Sequence, residues 1–92
     1  MSPLENTLIN SARSYLDLVL SYCAAHKAGQ VSEDDEKDYS SDRGAINALF
    51  DIAHNPESGL SPEAKAALLE IESKDQAALM EAFGFKGAPL EE

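Results

Sequence analysis

The sequence predicts an all-α fold, a small bundle of three helices, on three observations. Apolar residues recur at spacings of three and four through three separate stretches, which places them on one face of a helix. Each stretch opens on a serine followed by proline or acids, and the first and third close on a glycine. Strand-like alternation of apolar and polar residues never extends beyond a few positions. Ninety-two residues with 43% hydrophobic content suit one domain with a modest core, expected over residues 1–85 with a tail at 86–92.

The first helix begins at Ser2-Pro3-Leu4-Glu5, a capping box with serine as N-cap, proline at N1 and glutamate at N3. Such a start leaves little or no chain ahead of the helix. Leu4, Leu8, Ala12, Tyr15, Leu16, Val19, Tyr22 and Cys23 form its apolar arc, with Ile9 and Leu20 on one flank and Leu18 on the other. The arc covers about half the circumference, enough for two neighbours, so this is the central helix of the bundle or a helix shared with a second subunit. Gly29 ends it, for a span of about 3–28. His26, near that end, is expected to cap the last carbonyls or close the end of the core rather than bind a ligand, because one cysteine and two histidines cannot supply a zinc set.

A second helix is expected over about 33–54. Ser32 and Asp35 form another capping arrangement, and acids in the first turn face the positive end of the dipole. Tyr39, Ile46, Leu49, Phe50 and Ala53 carry its apolar face. Asp35 and Asp42 fall on the side of Tyr39 and Ile46, and Gly44 weakens the middle. A competing reading is therefore an acidic loop to Tyr39, with Ser40 or Ser41 capping a shorter helix; the longer helix is preferred. Asn55-Pro56-Glu57-Ser58-Gly59 is a turn by composition.

The third helix has the fullest signals: Leu60 at N′, Ser61 as N-cap, Pro62 at N1 and Gly84 after Phe83, for a span of 61–83. Ala64, Ala67, Leu68, Ile71, Ala78, Leu79 and Ala82 share a face, and Phe85 is placed to fold back on Met80. Asp75 interrupts the stripe. Unpaired buried charge is costly, so a break near Ser73 or a solvent-reachable edge is expected over a buried, paired Asp75. A break, capped by Ser73 and Gln76, would make the bundle four-helical. Arg43 is read as structural, pairing with Asp42, Asp75 or a nearby carboxylate.

Seventeen acids against seven basic residues give a net charge of −10. The charge is uneven: residues 1–29 balance, whereas 30–57 hold eight acids against Lys37 and Arg43. Such a surface repels nucleic acid and anionic membranes and favours basic partners. There is no tryptophan, and three Phe and three Tyr supply few stacking platforms for single strands. A single cysteine, Cys23, excludes an internal disulfide, suits a reducing compartment and is expected buried as a small hydrophobe. With no signal peptide and no apolar run long enough to span a bilayer, a cytoplasmic protein is expected.

Catalytic and metal motifs fail when tested. A calcium loop starting at Asp34 would have Tyr39 in place of its glycine and Ala45 in place of its bidentate glutamate. Asp51-x-x-His54 has the spacing of a carboxylate and imidazole on one face, but di-iron bundles need two such units and further glutamates. No phosphate loop or nucleophile elbow occurs. The expectation is a non-catalytic protein without cofactor or metal, regulatory or inhibitory. It docks Glu33, Asp34, Asp35, Glu36, Asp38 and Asp42 on a basic protein of the nucleic-acid-binding type, in the manner of a DNA mimic. The alternative is an adaptor that homodimerises, or binds a partner helix, through the apolar arc of the first helix.

Overall fold

The computed structural model describes residues 1–84. Three helices form an all-α bundle: α1 Pro3–Lys27, α2 Glu33–His54 and α3 Pro62–Phe83. The expectations for Phe85 and for a tail at 86–92 lie outside the described residues.

The caps fold as the sequence reads. Ser2 and Ser32 each accept from the backbone three residues on, and Glu5 and Asp35 reach back to the two cap amides. Ser61 caps α3 through the Ala64 amide at 3.2 Å. At the end of α1 the Gln30 amide donates to the Ala25 carbonyl at 2.9 Å and the Gly29 amide to the His26 carbonyl at 3.0 Å. This Schellman pairing needs the positive φ of +70° that Gly29 supplies.

Burial follows a 4–3 alternation. On α1 the buried positions are Glu5, Ile9, Ala12, Leu16, Val19 and Cys23; on α2 they are Tyr39, Arg43, Ile46, Phe50 and Ala53. That repeat averages 3.5 residues, the spacing of a coiled-coil seam, so the helices can run alongside one another with knobs in holes. Ala64, Leu68, Ile71, Asp75 and Leu79 complete the core from α3. Burying a Leu, Ile or Val in this way contributes roughly 1.5–3 kcal/mol each.

α1 lies against both other helices and shares more contact with each than they share together. Most of its wide apolar arc is thus covered within the chain, with Leu18 and Leu20 on the flanks left exposed. Two details differ from expectation: Ile9 is core rather than flank, and Leu4 is 68% exposed, because the seam at that level is taken by Glu5.

α2 is the longer helix that was preferred, and the expected break in α3 is absent. α2 begins at Glu33 with no acidic loop before Tyr39, and α3 passes unbroken through Ser73. Asp75 is buried and paired, contrary to the reading of a break. Its carboxylate accepts two hydrogen bonds from Arg43, at 2.8 Å from Nη1 and 2.6 Å from Nη2, so the charge that would have opened the helix is neutralised in place. The pair divides the core in two: Ile9 to Ile71 on one side, and Val19, Cys23, Tyr39 and Leu79 on the other.

Candidate protein-docking surface

The acidic segment is the first half of α2, fixed at its start by the Ser32 capping box. Glu33, Asp34, Asp35, Glu36 and Asp38 are exposed and Asp42 is half-buried. Among the described residues none of the six forms an ion pair. They do not share one flank. At about 100° per residue, Asp34, Asp35, Asp38 and Asp42 gather on one side and Glu33 and Glu36 on another. The surface concavities follow the same division.

One concavity is the seam between α1 and α2, about 200 Å³ in volume. Its lining comes from Leu18, Ser21, Tyr22 and Ala25 of α1 and from Asp35, Asp38, Tyr39 and Asp42 of α2. Both sets follow the i, i+3, i+4, i+7 pattern of a single helix face, so the groove runs along the crossing. A second, shallower concavity is lined by Glu33, Glu36, Lys37 and Ser40. It has no apolar wall and carries its own cation.

Aromatic rings hold the groove in shape. The Tyr22 and Tyr39 rings stack with centroids 4.1 Å apart and planes 16° apart. Phe83 meets both rings from α3 at 6.3 and 6.2 Å, and His26 lies tilted by 48° against Phe83 at 4.5 Å. Its ring therefore covers that end of the core, as expected, while backbone amides cap the carbonyls.

The local potential is negative. Burial, followed by the charge of Asp38, raises the Asp42 carboxyl above its ordinary range. Burial and then the charge of Glu36 raise the Tyr22 phenol. Behind the groove, burial raises the Tyr39 phenol, opposed by the Arg43 guanidinium one turn away. The Tyr39 hydroxyl and Arg43 Nε make no hydrogen bond of good geometry, although the two side chains lie close enough for this opposition.

Other residues singled out by the sequence have structural surroundings. Cys23 is buried, and burial, then the charge of Asp75, raises its thiol, which keeps it protonated. His54 Nε2 lies 2.7 Å from Glu72 of α3, not against Asp51. Sequence reasoning missed the contribution of α1 to the acidic surface. Leu18, 50% exposed on an otherwise polar flank, was its visible sign. No known protein family, curated protein or solved structure matches this chain.

Proposed function

We propose that this chain is a non-catalytic regulatory or inhibitory binding protein that docks the acidic first half of α2 on a basic protein surface. The partner is of the kind that binds nucleic acid, and docking competes with nucleic acid for that surface. The observation that carries the reading is a row of carboxylates on a rigid, capped helix, without cationic partners among the described residues. Asp35, Asp38 and Asp42 stand about 4.5 and 6 Å apart along the axis, on the scale of the charge spacing of a nucleic-acid strand. A helix already formed also requires little ordering on binding. No helix among the described residues is long and apolar enough to cross a membrane, so the charged face is not paired with an anchoring span there.

The test is capture of partners by the purified protein at low and high salt, beside the variant D34K/D35K/E36K. Docking by charge predicts a basic partner that is lost at high salt, lost in the variant and displaced by duplex DNA. Unchanged capture by the variant sinks the reading. Leu18 and Leu20, 50% and 41% exposed on α1, support a second reading, a homodimer or adaptor through that helix, for which association would resist salt.

A further inference from the structure

We infer that the groove between α1 and α2 is a receptor for one arginine side chain presented by the basic partner. This rests on the docking reading above and assigns the chemistry of its contact point.

The two walls differ in kind. Leu18, Tyr22 and Ala25, with Ser21 among them, make one side mainly apolar and aromatic; Asp35, Asp38 and Asp42, around Tyr39, make the other anionic. An occupant that satisfies both must carry a positive charge on an apolar stem, which restricts it to arginine or lysine among side chains. The volume of about 200 Å³ suits a side chain rather than a folded segment.

Arginine fits better than lysine. Its planar guanidinium can lie against a ring while donating in a fork to carboxylates, whereas an ammonium is a compact, strongly hydrated charge. Asp38 and Asp42 are one turn apart on the same face, a spacing that lets two carboxylates meet one fork. Little must be ordered for this. The Tyr22 ring is held against Tyr39, and Asp35 is anchored by one oxygen to the Ser32 amide at 3.0 Å. Asp42 gains most, since burial and the charge of Asp38 both disfavour its ionised form. The concavity at Glu33 and Glu36 is a natural control: it is acidic, but it has no apolar or aromatic wall and holds Lys37.

The full chain is titrated, with backbone and side-chain resonances followed by NMR, using a capped neutral peptide that contains one arginine and its lysine and citrulline counterparts. The arginine peptide is expected to shift Leu18, Tyr22, Ala25, Asp38 and Asp42, with through-space contacts from its δ-methylene to the Tyr22 ring. Lysine should bind at least about threefold more weakly and citrulline not measurably. D38N/D42N should weaken the arginine peptide by about tenfold or more, while E33Q/E36Q leaves it within about twofold. Shifts spread over all the acids or centred on Glu33 and Glu36, equal binding of lysine, or no binding of any peptide overturns the receptor. The capture experiment separates this from the docking reading. A partner lost from D34K/D35K/E36K but retained by D38N/D42N overturns the receptor alone; a partner retained by both variants overturns the two together.

Discussion

The Glu5 carboxylate accepts from the Ser61 amide at 2.7 Å through one oxygen and from the Ser2 amide at 3.0 Å through the other. One side chain thereby satisfies the starts of two helices, although Glu5 and Ser61 lie 56 residues apart in sequence. Its solvent exposure is low, but it sits at the end of the bundle, where hydrogen bonds rather than a dry surrounding govern its ionisation.

Those bonds lower the Glu5 pKa below 4.5, the Ser61 amide most and the Ser2 amide next, while burial opposes them. A carboxylate with a depressed folded-state pKa contributes stability that is present above its unfolded value and lost as pH falls through the folded value. Thermal unfolding of the native chain should therefore weaken below pH 4.5 more steeply than that of Glu5→Gln. At pH 7 the substitution should lower the midpoint. Parallel pH profiles for the two proteins would contradict this.

Removing one member of the Arg43–Asp75 pair leaves an uncompensated charge in the core. Asp75→Ala should lower the unfolding free energy by about 3–5 kcal/mol, read from denaturant melts of helical ellipticity. Arg43→Met with Asp75→Leu should recover most of that loss, because the pair also carries a desolvation cost. Burial works against the Arg43 charge, but the Asp75 hydrogen bonds and charge outweigh it and raise the Arg43 pKa above its ordinary value. A base with a raised folded-state pKa stabilises fully below its unfolded value, so this contribution should stay constant with pH through the neutral and moderately alkaline range. A double variant as unstable as Asp75→Ala would refute the account.

Asp42 has the opposite sign to Glu5. Its folded-state pKa is raised by burial and then by Asp38, so its ionisation weakens the fold as pH rises through that value. Asp42→Asn should stabilise the protein at pH 7 and leave it nearly unchanged at pH 3. The gain should stay within about 0.5 kcal/mol, since solvent reaches and screens the group. Greater stability together with weaker partner binding is the expected pattern; destabilisation at pH 7 would argue against a strained carboxylate.

Leu18 and Leu20 separate the two readings of the surface. Leu18 lines the groove and Leu20 does not. Leu18→Ser should weaken partner capture several-fold, consistent with about 1 kcal/mol of lost apolar contact, while Leu20→Ser leaves it unchanged. Analytical ultracentrifugation of both variants completes the test. An α1 dimer dissociated by either substitution would favour the adaptor reading.

Local grammar made the helices legible. Ser2, Ser32, Ser61, Gly29 and Gly84 act within one turn of chain, so their effect can be read from neighbours alone. Asp75 was misleading for the converse reason: its partner lies 32 residues away, and a charge in an apolar stripe looks like a break until the partner is considered. Arg43 was the available clue. It falls on the same 4–3 seam of α2 as Tyr39 and Ile46, so each helix carried one buried charge of opposite sign. The acidic residues were legible as a cluster but not as a surface. Their division between two sides follows from helix phase, whereas the apolar wall of the groove depends on how α1 crosses α2.

The charged layer in the core also removes an ambiguity of alignment. α3 is rich in alanine, with Ala64, Ala67, Ala78 and Ala82 along its inner side, and small side chains of one kind match many partners almost equally well. Sliding α3 past α2 by one turn, about 5.4 Å, would preserve much of that apolar matching. It would also separate Arg43 from Asp75 and leave two lone ions facing hydrocarbon, at several kcal/mol each. A bundle with interchangeable contacts thus acquires a single vertical setting of α3 on α2, and with it a fixed height for Phe83 against the Tyr22–Tyr39 stack.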